Sequence, residues 1–339
     1  MNEYLKWLGS TESIYWNDSV VSYELEEAIS NGATGATSNP FLITDAYLSE
    51  RRFWEQKIPE FQTSDAEERA ELVTMAMVSH YAKKYKPMFC KETQQGYFCV
   101  QTNIAKCGDA EYMLEQAKRF ARLGENIAIK LPVTAAGLKA YEECVALGIP
   151  VVGTLSMTVP QVLAVGEAAE RGKKRAKENG ITPALTVAVV MVGRLDNYIR
   201  DVARDSGVNV SESDIIQCGT ACIKRAYQMF SERGYDTFLM PAGSFNASNI
   251  TSLAGARMIM SIAPRIAKML ETVDQFEENI DKPVAEDVIE RLMQIEEFRK
   301  AYEPDGLKPQ EFITYGGNNR TIAQYLECGW NPLLKEIGK

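Results

Sequence analysis

The chain has 339 residues, 45% apolar and 24% charged, with a formal charge of −9. Those are globular proportions able to support a large core, and the negative balance argues against a nucleic-acid surface or an anionic membrane. No run approaches the roughly 18 apolar residues of a spanning helix, and Met1-Asn2-Glu3-Tyr4 is no signal peptide, so a cytoplasmic protein is expected. Seven cysteines, an odd number with no C-x-x-C pair, fit a reducing compartment better than a disulfide frame. The single histidine, His80, leaves no His-based metal cluster to assemble. By length the chain could hold two domains, but one α/β barrel with helical additions is equally ordinary.

In chain order, Met1 to Gly9 predicts a short helix and Ser13 to Asp18 a first strand with a polar end. Tyr23 to Ser30 carries Leu25, Ala28 and Ile29 at helical spacing, closed by Gly32. Gly32 to Pro40 is a glycine-rich entry to a second strand end; alone it is a weak phosphate signal, and a closely packed strand explains it equally. Residues 43 to 88 read as a helical insertion after that strand. Gly96 to Thr102 is the third strand, with Tyr97, Cys99 and Gln101 on one face by period 2, and Asp109 to Leu123 its return helix. Ile127 to Leu131 is an apolar run bounded by Pro132, which cannot donate to a ladder. Thr134 caps the next helix, Gly148 stops it, and Val151 to Leu155 follows as a strand, Val152 and Thr154 facing inward.

Thr158, with Pro160 in the first turn, opens a helix running to Gly172, and Lys173 to Lys177 reads as its solvated extension. Ala184 to Met191 is the sixth strand, followed by Gly193-Arg194; an arginine directly after a buried strand can clamp an anion or salt-bridge a neighbouring loop. A helix from Cys222 to Phe230 leads to strand seven, Asp236 to Ser244, and Met258 to Pro264 is strand eight. The tail from Arg265 reads as helical and charged, with a looser stretch from Tyr302 to Asn319. Eight strands alternating with helices give a (β/α)8 TIM barrel, its core about residues 13–270 of a single domain spanning 1–339, with a helical C-terminal extension over about 271–339.

Lys130 stands out as the one cation inside an apolar strand, one residue from its end. Burying an ammonium is costly, so it needs a reason. One reading is structural: the amine pairs with a buried carboxylate. The other is a Schiff-base lysine, since desolvation favours the neutral amine that attacks a carbonyl, and the C-terminal ends of barrel strands face the active site.

Taken together, the strand ends resemble the transaldolase family. The motifs are Trp16-Asn17-Asp18, Gly35-Ala36-Thr37-Ser38-Asn39-Pro40, Ile129-Lys130-Leu131-Pro132, Thr154-Leu155, Val192-Gly193-Arg194 and Gly234 through Ser244-Phe245, in that order. The resemblance spans about residues 13 to 270. It implies that Lys130 forms the Schiff base, Asp18 transfers a proton, Asn39 binds the donor and Arg194 grips a phosphate, in carbohydrate metabolism. Four positions depart from the ordinary transaldolase pattern. Gln101 stands for a water-positioning glutamate, Val152 for an asparagine, Val189 for a serine, and Asn246, after Ser244-Phe245, for a second phosphate arginine. Gln101, Gly148 to Thr154 and Val133 to Leu138 instead resemble the fructose-6-phosphate aldolase branch, although that branch has a tyrosine where Met191 stands.

The implied catalytic residues are thus Lys130, Asp18 and Gln101, with Asn39, Thr154, Arg194, Ser244 and Asn246 binding substrate. The partner is a small sugar or sugar phosphate. A homo-oligomer is left open. The protonated imine is itself the electron sink, so neither a cofactor nor a metal is expected. Transfer of a dihydroxyacetone unit, its outright release, and sugar binding without turnover are the three readings. With Arg194 as the only charge counted for the anion, weakened use of phosphorylated sugars is expected.

Overall fold

The computed structural model describes residues 2–58 and 63–337. Eight short runs rich in apolar residues form the strands: β1 (Ile14–Asn17), β2 (Gly35–Ala36), β3 (Phe98–Gln101), β4 (Ile127–Pro132), β5 (Val151–Thr154), β6 (Thr186–Val190), β7 (Phe238–Pro241) and β8 (Ile259–Ile262). All pair in parallel in the order β7-β6-β5-β4-β3-β2-β1-β8, and a parallel bridge from Leu239 to Met258 brings the outer edges together. Parallel strands need crossover connections, here helical; the helices cover the outer face and the closed sheet buries the inner one, which is why these strands are mostly apolar instead of alternating.

The helices are α1 (Glu3–Leu8), α2 (Ser22–Ser30), α3 (Pro40–Ser49), α4 (Arg51–Lys57), α5 (Ala66–Tyr85), α6 (Ala110–Ala121), α7 (Ala135–Ala146), α8 (Val159–Glu178) and α9 (Val192–Ser206). They continue with α10 (Glu212–Ile215), α11 (Cys218–Arg233), α12 (Ser248–Thr251), α13 (Pro264–Leu270), α14 (Glu286–Leu292), α15 (Glu296–Tyr302), α16 (Gly316–Tyr325) and α17 (Asn331–Ile337). The expected (β/α)8 barrel with extra helices is therefore the observed one. The insertion after β2 is α3 to α5; positions 59–62 of it lie outside the described residues. No helix among the described residues is long and apolar enough to cross a membrane.

Local chemistry explains the helix starts. Thr134 accepts from the Gly137 amide, and Thr158 and Gln161 form a reciprocal capping box, each satisfying amides that a helix N-terminus leaves orphaned. Gly148, with φ of +70°, takes the left-handed conformation that ends α7. The glycine-rich entry to β2 is a close approach: a Cβ on Gly35 would stand 2.6 Å from the Trp16 indole. Burial of Ile127, Ile129 and Leu131 contributes about 1.5–3 kcal/mol each, enough to hold β4 in place around the cation it carries.

Two expectations need correction. Residues 271–285 are not helical. Lys224 on α11 donates to the carbonyls of Asn279 (2.6 Å) and Ile280, and Asn279 donates through Nδ2 to Thr251 (3.0 Å), so backbone groups that a helix would use are engaged elsewhere. The extension of α8 is not wholly solvated either. Lys173 is 6% exposed and bonds Asp236, Glu170 (3.1 Å) and Thr237, just ahead of β7.

Candidate active site

The strand registers gather the site. Gln101 pairs with Lys130, Lys130 with Val152, and Pro132 with Thr154, so side chains from neighbouring strands emerge at matched levels near the C-terminal ends. There a cavity of about 240 Å³ is lined by Asp18, Asn39, Lys130, Thr154, Arg194 and Ser244 among others. Drug-sized ligands take roughly 300–1,000 Å³, so this volume suits a small metabolite.

Lys130 is 5% exposed, and its amine forms no hydrogen bond or ion pair among the described residues. The structural reading, an amine paired with a buried carboxylate, is therefore not what the fold provides. Asp18, at the end of β1, accepts a 2.5 Å hydrogen bond from Thr37 Oγ, which lies 3.0 Å from Ser261 Oγ on β8. That relay fixes one carboxylate oxygen and leaves the other without a bond among the described residues. Both charges reach the barrel interior: burial pushes the Cys99 thiol up to about 12, with the Lys130 charge opposing and the Asp18 charge assisting.

Asn39 caps α3 by accepting from Leu42 N at 3.0 Å, which commits its oxygen and turns its NH2 group to other uses. Arg194 lies in the first turn of α9, donates to Gln324 Oε1 at 2.5 Å and stands over the Tyr325 ring at 5.3 Å. Gly193 permits this arrangement, because a Cβ there would lie 2.6 Å from the Gly243 carbonyl and push the loop after β7 away. In that loop Ser244 Oγ is buried with no partner among the described residues.

Two implied residues stand elsewhere. Gln101 does not line the Lys130 cavity but an adjoining one of about 20 Å³, shared with Asn39, Asn103 and Trp330. Both of its amide atoms, and Asn103 Nδ2, are buried without protein partners among the described residues. Asn246 turns back into its own loop, its Oδ1 accepting from Asn249 N (3.1 Å) and from Ser248. Asn249 in turn accepts from Phe245 N (3.1 Å) and donates to the buried Asp196 (3.1 Å).

Other residues lining the cavity were not singled out from sequence. Tyr325 comes from α16, and burial raises its phenol, with Arg194 opposing and Asp18 assisting. Arg265, two residues after the eighth-strand apolar run, also lines the cavity and donates to the Ser244 carbonyl at 2.6 Å. Besides Lys130, the cavity is thus lined by two cations, Arg194 and Arg265. The signal that marked Arg194, a cation just past a buried strand, marks Arg265 equally. His80 packs edge-on against Phe53, Trp54 and Tyr81, and no group of three or more His, Cys, Asp or Glu side chains among the described residues could hold a metal ion.

A family model described as transaldolase/fructose-6-phosphate aldolase matches residues 15–312. The transaldolase of Renibacterium salmoninarum is 30% identical over 207 residues, which cover 58% of this chain and 54% of that protein. The transaldolase of Thiobacillus denitrificans is 26% identical over 244 residues (70% and 66%), and transaldolase 2 of Streptomyces avermitilis 26% over 243 (68% and 65%). The chain thus spans between 54% and 66% of the length of these relatives.

Proposed function

The chain belongs to the transaldolase/fructose-6-phosphate aldolase family, and from that membership and the Lys130 cavity we propose a Schiff-base enzyme that moves a dihydroxyacetone unit from a ketose, or ketose phosphate, to an aldehyde. The observation that carries this reading is the buried Lys130 amine with no carboxylate partner, in one cavity with Asp18.

The amine adds to the ketose carbonyl and loses water to give a protonated imine. The adjacent C–C bond then breaks; its electron pair enters the enamine, and the hydroxyl on the leaving carbon gives its proton to the free oxygen of Asp18. An aldehyde departs. The enamine next attacks an acceptor aldehyde, whose oxygen takes the proton back from Asp18, and water hydrolyses the new imine to release the product ketose; or the enamine takes up a proton and is hydrolysed to release dihydroxyacetone. Asn39 offers its NH2 to donor hydroxyls, and Arg194 and Ser244 hold the distal end. Gln101 has a separate task. The cavity of about 20 Å³ has room for one water, which the unpartnered amide groups of Gln101 and Asn103 would hold beside Asn39, the residue it shares with the Lys130 cavity, to serve as the proton shuttle to the imine.

The test is product analysis with fructose 6-phosphate, with and without an acceptor aldehyde. Transfer requires turnover that depends on the acceptor. Dihydroxyacetone formed at the same rate without acceptor would instead establish release, and sugar binding with no product would contradict an enzyme.

A further inference from the structure

We infer that Asp196 and Asn249 form a buried bridge that positions the loop after β7 against the start of α9, and that this bridge sets the affinity for the ketose without touching it. This rests on the sugar-processing reading of the cavity and adds two positioning residues to it.

The two elements joined by the bridge both wall the Lys130 cavity: Arg194 in the first turn of α9, and Gly243, Ser244 and Phe245 in the loop. They meet first where Gly193 lies against the Gly243 carbonyl. Asp196 makes a second connection. Its Oδ1 accepts from the Gly219 amide near the start of α11 at 2.8 Å, and its Oδ2 accepts from Asn249 Nδ2 at 3.1 Å. Asn249, in α12, passes that connection on. Its Oδ1 accepts from the amides of Phe245 (3.1 Å) and Asn246 (3.4 Å), and its own amide donates to Asn246 Oδ1 at 3.1 Å.

Both side chains are buried, Asp196 at 2% and Asn249 at 0% exposure. No cation bonds Asp196 among the described residues; the Arg200 guanidinium is taken by Glu212 and Asn197. A buried carboxylate without a cation is costly, so its place needs a reason. The donors supply one. Gly219 N and Asn249 Nδ2 each meet a separate oxygen, and a carboxylate offers an acceptor to both where an amide offers one. The far end of the bridge bears on Phe245, a wall of the cavity, which ties this carboxylate to substrate affinity.

The polarity of the bridge provides its test. Asp196→Asn leaves one donor facing a donor, and Asn249→Asp sets two carboxylates against each other. The double variant Asp196→Asn/Asn249→Asp exchanges the groups and restores every pair: the amide at 196 accepts from Gly219 and donates to the carboxylate at 249, which still accepts from Phe245 and Asn246. All are compared at about pH 8.5, above the value of about 7 to which burial lifts the Asp196 carboxyl. In each single variant KM for fructose 6-phosphate should rise about fivefold or more while kcat changes less than about twofold; the double variant should return to wild-type values. Amide exchange read by mass spectrometry should follow the same pattern in the peptide from Gly243 to Asn249, faster in each single variant and restored in the double. A bridge that only supported the fold would lower the active fraction, and so kcat, at unchanged KM. That outcome, or single defects that add in the double variant, overturns the assignment. A wild type that binds fructose 6-phosphate but never forms a covalent adduct with it breaks the Schiff-base reading alone; the loss and rescue then appear in calorimetric affinity for that sugar.

Discussion

Two lysines are buried almost equally, Lys130 at 5% and Lys173 at 6% exposure, yet the fold treats them in opposite ways. Lys173, on α8, is surrounded by acceptors: Asp236, Glu170 and Thr237, with Thr237 Oγ 2.9 Å from Thr186 Oγ at the start of β6. Burial holds its amine below the ordinary lysine value, and the Glu170 carboxylate opposes that shift. It ties α8 to the N-terminal ends of β6 and β7. Lys130 sits at the other end of the barrel, facing a cavity, its amine making no bond among the described residues. Carboxylate pairing of the kind sequence alone allowed for Lys130 is found at Lys173 instead, although its partners Asp236 and Glu170 are themselves exposed. Burial of a cation is therefore not diagnostic; what surrounds the amine separates a lysine held by acceptors from one left open to a cavity.

Exchanging the two residues' fates is the sharpest way to test that divide. Lys130→Met keeps the aliphatic stem and removes an unpaired charge, so stability should hold or rise while turnover of any ketose falls to background. Parallel thermal melts and steady-state assays check both halves; lost folding with retained activity would reverse the comparison. Lys173→Ala should do the opposite, lowering stability by about 1–3 kcal/mol in urea titration, because stem packing and three polar contacts are lost together, while leaving kcat within about twofold. Activity that collapses in Lys173→Ala without a stability change would place chemistry at the wrong end of the barrel.

Asp196 supplies a third case with smaller consequences. Burial raises its carboxyl from 3.8 to about 7, against hydrogen bonds from Gly219 and Asn249 and the Arg200 charge, with Glu212 reinforcing the rise. The folded chain thus holds a proton that the unfolded chain releases earlier. This contribution to stability is fully present below 3.8 and is lost as pH climbs to about 7. Across that window, wild type should lose stability relative to Asp196→Asn by up to about 1.4 kcal/mol per pH unit, measured by denaturant titration at several pH values. Parallel curves for the two proteins would mean that Asp196 stays ionised.

Much of the barrel was legible because each strand is a local event, an apolar run closed by proline, glycine or a capping residue, as at Ile127 to Pro132 and Val151 to Thr154. Lys130 was legible for the same reason, a cation against an apolar background. What escaped depends on contacts distant in sequence. Gln101 shares a register with Lys130 but faces the neighbouring cavity closed by Asn103 and Trp330. Arg265 read as the start of a charged tail, because nothing in Ala263-Pro264-Arg265 reveals that Ser244 lies within its reach. Tyr325 and Gln324 meet Arg194 only because α16 folds back over the barrel mouth, 130 residues along the chain in the case of Gln324. The solvated reading of Lys173 failed likewise, since Asp236 lies 63 residues further on.

The central claim is that the unpaired Lys130 amine bonds covalently to substrate, and reductive trapping tests it directly. The protein is incubated with fructose 6-phosphate, reduced with borohydride, digested, and mapped by mass spectrometry. The account predicts a stable sugar-derived adduct on the peptide carrying Lys130, absent from Lys130→Met and unaffected in Lys173→Ala. An adduct that persists in Lys130→Met, or that maps to Lys173, would contradict it.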